Sequence, residues 1–512
     1  MGWTAAFQEA LQDRTHAPMF FLEVSKLTGA PGATGETFFS HPEDRLPLAN
    51  AISRDSIRLT SGSVSTLSWS KSFGGLSFGL HGGAAAATNL LQTLVRGSIV
   101  RLFVGFDGWD YADFEPVFTG QVNSLRGTPQ RGYQVQCWDI VRALGTRWTT
   151  VSGQMPLFHA LSSVGTTVNG GAYTPGDSTI EVASSATAYR EAGGRYLLRV
   201  TPSSGADFYL VASSVAANVF TLVSPGSDWY GPPRATAAVG NTVIFQALLW
   251  DHPADIFRKL LISTGTPGAA HATWDAYPAD WSFACPVDWV DVDDIGDAMT
   301  RASVDTAVNL DVIVTEEQLN PVDWFMGAMK DKGFFPVHRQ GQISMRAATD
   351  PTAVASSFLI TDMEIEQVLD WQAWDGSRQI EYQTFVARSA SGGSSVTTGE
   401  GITTLPSTGQ YLFNASHAWQ GGTAWTADLT VRLPIWATRI PERVSLLLSG
   451  LAYAGLCEGD IGHLTSSHIP SRDPEGTRSR ACMVLSCEPS WTEGTVRLDL
   501  AIPPSWSTEH KT

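Results

Sequence analysis

Charged side chains are scarce in this sequence, 16% of 512 residues, against a typical value of about 25%. A free monomer usually needs more surface charge than that to stay apart from its neighbours. With 18 Trp as well, much of the surface is expected to be hidden in an assembly. Basic residues are the rarer sign, 33 against 50 acidic, for a net charge of −17. Such a chain gains no counterion release on duplex DNA and carries no Lys/Arg run to override the global sign, which argues against direct DNA binding. Cysteine is nearly absent. Cys137, Cys285, Cys457, Cys482 and Cys487 are few, odd in number and dispersed, which argues against a disulfide framework and fits assembly in a reducing cytoplasm. No run approaches the roughly 18 apolar residues of a membrane span. The first residues, Met1 to Pro18, lack the basic-then-apolar pattern of a secretory signal, so none is expected there.

What is present is material for cores, 43% hydrophobic and 10% aromatic residues, in a chain long enough for about three or four domains. Thr4 to Gln12 reads as a short amphipathic helix with Thr4 as cap, followed by a buried strand at Met19–Val24. From there to residue 150 strands alternate with Gly-rich turns: Ser56–Leu59, Val64–Ser70, Ile99–Val104, Val117–Asn123 and Tyr133–Trp138, with a helix at Ala84–Leu94. Residues 151–245 are richer in Thr, Ser, Val, Ala and Gly. Strands at Thr179–Val182, Tyr196–Val200, Phe208–Ala212, Val219–Val223 and Thr242–Phe245 mark this stretch as a small inserted all-β domain.

Residues 246–356 read as α+β. Pro253 opens a helix that stops at Gly265, Asp291 leads a second over Asp291–Ala302, and Asn320-Pro321 opens a third that closes at Lys332-Gly333. A hairpin at Val337–Arg346 follows. Residues 357–512 return to strands at Gln379–Phe385, Thr426–Pro434, His463–Thr465, Ala481–Ser486 and Gly494–Ala501, with a helix expected at Glu442–Ala454.

The first and last parts echo one another. Arg96-Gly97-Ser98-Ile99 through Leu102 resembles Glu458-Gly459-Asp460-Ile461 through Leu464. At the same offset of 362 residues, Val122, Ser124 and Gly132 face Val484, Ser486 and Gly494. The strands after the turn, Tyr133–Trp138 and Thr495–Leu500, have apolar positions out of phase by one residue, which a one-residue loop difference accounts for. Duplication and convergent β-barrel patterning both produce such an echo.

The order of signals resembles the baseplate-hub and tail-tip proteins of long-tailed bacteriophages. The pieces that match are Phe118-Thr-Gly-Gln-Val122 with Tyr133 to Asp139, and His252-Pro-Ala-Asp-Ile256 with Leu260, Leu261 and Ser263-Thr-Gly265. Then come Asn320-Pro-Val-Asp-Trp324 with Lys332-Gly333, and Gly459-Asp460-Ile461 with Val484 and Gly494 to Leu498. These loose patterns cover most of the chain outside 151–245. The resemblance implies a mainly β chain with an α+β middle segment, in which two tail-tube-like β-barrels (1–150 and 357–512) flank the insert (151–245) and the connecting domain (246–356). It also implies a homo-oligomer, a trimer whose six barrels join a sixfold tail tube to a threefold tip in the virion. The ring would contact the distal tail ring, the tape-measure end and tip or fibre proteins. DNA passes through its lumen without specific binding, and an acidic bore would keep that DNA from adhering. No cofactor, metal or catalytic residue is implied.

Other chemistry fits the sequence less well. Gly75-Leu-Ser77-Phe-Gly79, with His81-Gly-Gly83 behind it, matches a nucleophile elbow, but an elbow needs a parallel α/β sheet and the surroundings read as antiparallel, so turn glycines are the expectation. Asp288, Asp291, Asp293, Asp294 and Asp297 fail a calcium-loop template, because Ile295 and Ala302 fall where ligands belong, and read as a helix start with a solvated acidic face. Some siphophage tip proteins hold an iron–sulfur cluster through four cysteines, whereas here only Cys457, Cys482 and Cys487 lie near one another in sequence. The eleven His lack zinc spacing. Trp229-Tyr230 suits either a sugar platform or a core or interface, the second being the commoner use. Two alternatives to a hub therefore stay open: a distal or minor tail protein whose insert binds host-surface glycan, and a tail esterase or depolymerase.

Overall fold

The computed structural model describes residues 3–13, 18–25, 36–40, 52–66, 71–80, 98–128, 132–146, 165–186, 196–223, 234–246, 248–251, 253–262, 285–301, 310–313, 321–330, 333–372, 382–388, 394–399, 412–417, 441–470 and 479–503, with Ala188, Phe283 and Trp436. The expected helix at Ala84–Leu94, the strand at Thr426–Pro434, His81 to Gly83 and Trp229-Tyr230 lie outside them. The chain is mainly β.

Helix α1 (Ala5–Gln12) is capped by Thr4, whose Oγ1 accepts from the Phe7 amide, and it buries Phe7, Ala10 and Leu11. The first sheet is built from β1 (Pro18–Ser25), β2 (Glu36–Ser40), β3 (Ile52–Thr60), β6 (Gly75–Leu80), β7 (Ile99–Phe106), β8 (Glu115–Thr128) and β9 (Gly132–Asp139), in the order β2-β1-β7-β8-β9-β6-β3. A two-stranded ribbon, β4 (Ser63–Val64) and β5 (Lys71–Ser72), stands between β3 and β6. The expected strand Val64–Ser70 is thus described only at its start. Strict alternation drives the sheet: on β6, Leu76, Phe78 and Leu80 are buried and the residues between them are half-exposed. Asp139 then caps α2 (Ile140–Thr146) by accepting from the Arg142 amide.

The second sheet, of six strands, is formed by β10 (Gly165–Thr167), β11 (Thr179–Glu181), β12 (Tyr196–Thr201), β13 (Phe208–Ala216), β14 (Val219–Leu222) and β15 (Thr242–Gln246). A middle segment follows: β16 (Leu248–Asp251) paired to β17 (Leu310–Ile313), helices α3 (Pro253–Ile262), α4 (Val292–Arg301) and α5 (Pro321–Lys330), and the hairpin β18 (Phe334–Arg339)–β19 (Gln342–Ala347). One apolar cluster joins this segment to α2 and to the preceding sheet, with the Phe257 and Phe325 rings stacked 5.0 Å apart.

The final sheet contains β20 (Phe358–Ile360), β21 (Ile365–Gln372), β25 (Glu442–Ser449), β26 (Ile461–Thr465), β27 (Ser479–Ser490) and β28 (Thr495–Ile502), in the order β20-β26-β27-β28-β25-β21. Between β21 and β25 stand three further strands, β22 (Tyr382–Arg388), β23 (Ser394–Gly399) and β24 (Leu412–His417), which pair with one another. The helix expected at Glu442–Ala454 is not there. The run Leu446-Leu447-Leu448 fits either period, and pairing with β28 and β21 on both sides selects the strand, with Val444, Leu446 and Leu448 turned inward.

The final sheet must curl. Edge strands β20 and β21 are joined by the short link from Ile360 to Ile365, which reaches about 18 Å at most. In a flat sheet those edges would stand about 24 Å apart, five spacings of about 4.8 Å. Both this sheet and the first are curled half-barrels. Their inner faces share one core, in which Phe20, Phe78 and Val122 belong to the same cluster as Leu446, Val484 and Leu498.

Candidate functional site: two equivalent sheets and the charged joint between them

The two half-barrels are equivalent strand by strand. The run β1-β7-β8-β9-β6-β3 has the same order as β20-β26-β27-β28-β25-β21. They differ at one end, since β1 runs antiparallel to β7 and β20 parallel to β26. The register repeats at the offset seen in the sequence: Ile99 pairs with Gln121 as Ile461 pairs with Met483. The Val122 amide donates to the Ser98 carbonyl and the Val484 amide to that of Asp460, both at 2.9 Å. A bulge falls between Val122 and Ser124 in one sheet and between Val484 and Ser486 in the other. Gly132 and Gly494 close the following turn with φ of 77° and 69°. Val122 faces Cys137 while Val484 faces Leu500, so the last strand is displaced by the single residue that the loop adds.

Ser77 belongs to this pattern. It sits mid-strand on β6, opposite Arg58 on β3 and Gln136 on β9, in an antiparallel setting and not at the sharp strand-end turn that an elbow needs. Its equivalent in the other sheet is Ser445, opposite Asp370 and Asp499. Both form outward-facing polar rungs. Ser124 Oγ is 3.2 Å from Gln136 Oε1 in the first, and Asp499 accepts from Ser445 and Ser486 at 2.6 and 2.8 Å in the second.

The half-barrels meet unlike parts. Edge strand β3 and the β4–β5 ribbon of the first lie against β27 of the second. Val64 packs in one cluster with Met483 and Leu485, and Lys71 Nζ lies 3.6 Å from Glu458 Oε2 with both side chains buried. The middle segment locks this joint. Lys71 Nζ also donates to the Pro336 carbonyl (2.8 Å), and the Thr119 amide donates to His338 Nε2 (3.0 Å). Burial, and then the Lys71 charge, push His338 down to about 3, so it is a neutral acceptor. Trp3 spans the parts: its amide donates to Gln340 Oε1, its indole to the Pro116 carbonyl, and its ring lies 6.2 Å from that of Trp491.

The acidic cluster is where the structure corrects the expectation of a solvated face. Asp293 and Asp297 are exposed, but Asp291 and Asp294 are buried. Asp291 caps α4 by accepting from the Asp294 amide, and Asp294 is bound by Arg301 (2.8 Å), Arg339 (2.7 Å), Arg346 and the Ser344 hydroxyl. Burial alone would raise the Asp294 carboxyl, but the three guanidiniums and the hydroxyl overcome it and hold it at about 2. Arg346 reaches on to Asp460 at 2.9 Å, tying α4 to the loop before β26. A cleft of about 510 Å³ beside it is lined by Arg301, Arg339, Arg346 and Gln8. Among the described residues no group of three His, Cys, Asp or Glu is arranged to hold a metal ion. All five cysteines are free and buried, and burial raises the Cys482 thiol to about 12. No described helix is long and apolar enough to cross a membrane. The three arginines that partner Asp294 come from a helix end and the β18–β19 hairpin, and no local pattern around Asp294 announces them.

No protein-family model and no curated protein sequence matches the chain. Among solved structures, it is similar to the 43 kDa tail protein of prophage MuSo2 from Shewanella oneidensis, at 7% identity over 95% of this chain and 98% of that one, with a TM-score of 0.37. It is likewise similar to prophage tail protein gp18 from Listeria monocytogenes EGD-e, at 8% identity over 94% of each chain and a TM-score of 0.34. A chain of the virion of a native gene transfer agent particle overlaps 48% of this chain and 85% of its own length, at 14% identity and a TM-score of 0.17. These overlaps are loose.

Proposed function

We propose that this chain is a structural component of a phage tail tip or baseplate, a trimeric hub ring that joins the sixfold tail tube to the threefold tip and forms part of the DNA exit channel. The observation that carries the reading is the repeated half-barrel with its unlike contact. An edge of one unit docks on a face of the next, a heterologous contact that propagates and closes into a ring when the rotation allows. Two units per chain make three chains the count that matches six positions. Closure would also give edge strand β21 a neighbour, as β27 already does for β3 within the chain, removing an aggregation hazard. The chain divides, on this reading, into a first half-barrel unit (1–150), an inserted β domain (151–245), a connecting domain (246–356) and a second half-barrel unit (357–512).

The role is non-enzymatic. Ser77 has an exact counterpart in Ser445, which a repeated structural rung accounts for without chemistry. The neighbours in the virion would be the distal tail ring, the end of the tape measure and the tip or fibre proteins. The test is the mass of the purified assembly: three copies are expected, six would move the chain to the distal ring, and a monomer at high concentration would refute the ring.

A further inference from the structure

The described residues form one half-barrel junction, and the repeat says what a second would look like. In the junction within the chain, edge strand β3 carries exposed Arg58 and meets β27, whose outward side chains past the bulge include half-buried Glu488. The position equivalent to Arg58 is Asp370 on β21: Arg58 stands opposite Ser77, and Asp370 opposite Ser445. The position equivalent to Glu488 is Arg126 on β8: Glu488 pairs with Arg497, and Arg126 with Gln134. Both signs are therefore reversed together. Arg58 and Glu488 form no ion pair within the chain, yet where one edge and face carry Arg and Glu, their counterparts carry Asp and Arg.

Exposure agrees. Glu488, Pro489 and Ser490 are half-buried where β3 lies near, whereas the matching Arg126, Gly127 and Thr128 are exposed. Among the described residues, edge strand β21 pairs only with β25, and it exposes Glu366, Leu369 and Asp370. The receiving faces differ as well. Met483 and Leu485 are apolar and buried under Val64, while their counterparts are Gln121, buried where the β18–β19 hairpin lies against β8, and half-exposed Asn123, so that on β8 only the stretch from Arg126 onward is left exposed.

We propose that β21 of one copy docks against the distal half of β8 of a second copy, with the acidic Glu366 and Asp370 facing Arg126. This rests on the ring reading and adds its selectivity: β3 is kept off β8 by Arg against Arg, and β21 off β27 by Asp against Glu. Like charges across a seam suppress wrong partners and fix register.

The experiment is native mass spectrometry and sedimentation of the full chain as wild type, Arg126→Glu, Asp370→Arg and the double variant. Arg126 and Asp370 are exposed, so their reversal preserves folding, and circular dichroism checks it there and for half-buried Glu488. Each single reversal should weaken association at least ~10-fold, and more at low salt. The double variant should regain assembly, and Glu488→Arg, inside the chain, should leave the copy number unchanged. Singles that assemble like the wild type, or a double as weak as the singles, overturn the docking while leaving the ring intact. A wild type that never associates overturns the ring reading itself.

Discussion

Replacing His338 by Gln tests whether the joint depends on a neutral histidine. His338 is buried on β18, its Nε2 accepts from the Thr119 amide at 3.0 Å, and its ring lies 5.3 Å from that of Phe118. Protonation would turn the acceptor into a donor aimed at another donor, in a site that already holds the Lys71 ammonium. A base held at about 3 in the folded chain refuses a proton that the unfolded chain takes up below about 6.5. Its contribution is therefore complete above about pH 6.5 and is lost at about 1.4 kcal/mol per pH unit as pH falls towards 3. Between pH 7 and pH 5 the loss is about 2 kcal/mol. The Asp294 carboxyl, held at about 2, contributes nothing to this window because its stabilisation fades only below about pH 4. Glutamine keeps an acceptor for Thr119 and cannot be protonated. Unfolding of so large a chain is not two-state, so hydrogen exchange in the peptide spanning residues 115–128 is the local readout, alongside urea unfolding at both pH values. The wild type should lose about 2 kcal/mol more than His338→Gln on acidification. Equal losses in the two proteins would refute the reasoning.

Three further outcomes follow from the same geometry. Asp294→Asn takes the shared carboxylate from Arg339 and Arg346, leaving buried Arg346 with Asp460 alone, and should cost about 3–5 kcal/mol in thermal unfolding, with an unchanged melt counting against the joint. It should also abolish the part of acid sensitivity that appears as pH falls from about 4 towards 2, about 2 kcal/mol in the wild type. Gly132→Ala and Gly494→Ala should each cost about 1 kcal/mol by calorimetry, from backbone conformation alone, because an added Cβ would meet nothing within 4 Å at either turn. Unequal costs would mean that the turns are not equivalent. Trp3→Ala should cost about 3–5 kcal/mol, since the ring fills the seam between α1, β8 and Trp491. A loss under about 1 kcal/mol would show that α1 does not hold the half-barrels together.

Legibility in the sequence followed physical constraint. Gly132 and Gly494 stayed recognisable because the turn requires positive φ, and Val122-x-Ser124 and Val484-x-Ser486 because the bulge sits there. The strand after the turn lost its identities, since its positions need only be apolar inward and polar outward, and Cys137 serves where Leu500 does. The insert strands, α1 and the three middle helices were legible from period and caps. Glu442–Ser449 was not, because a Leu run carries no period of its own and its state is decided by β28 and β21, distant in sequence or fold. Asp294 read as a solvated helix start because its partners, Arg339 and Arg346, lie far along the chain.

Charge carries a different kind of information from shape in this chain. The features that repeat between the half-barrels, bulge, turn, register and strand order, are those that shape each sheet. Two equivalent units that kept the same surface charges would dock in either order, and a chain holding both would assemble into mixtures. At the positions of Arg58 and Asp370 and of Glu488 and Arg126, the backbone is repeated and the sign is not. Each change alone would oppose a like charge across a junction, so the two are expected to occur together. Salt dependence separates this account from one based on packing alone. Added salt screens exposed charges beyond about 10 Å at 0.1 M, so it should raise mispairing between half-barrels, whereas an apolar seam would be indifferent to it.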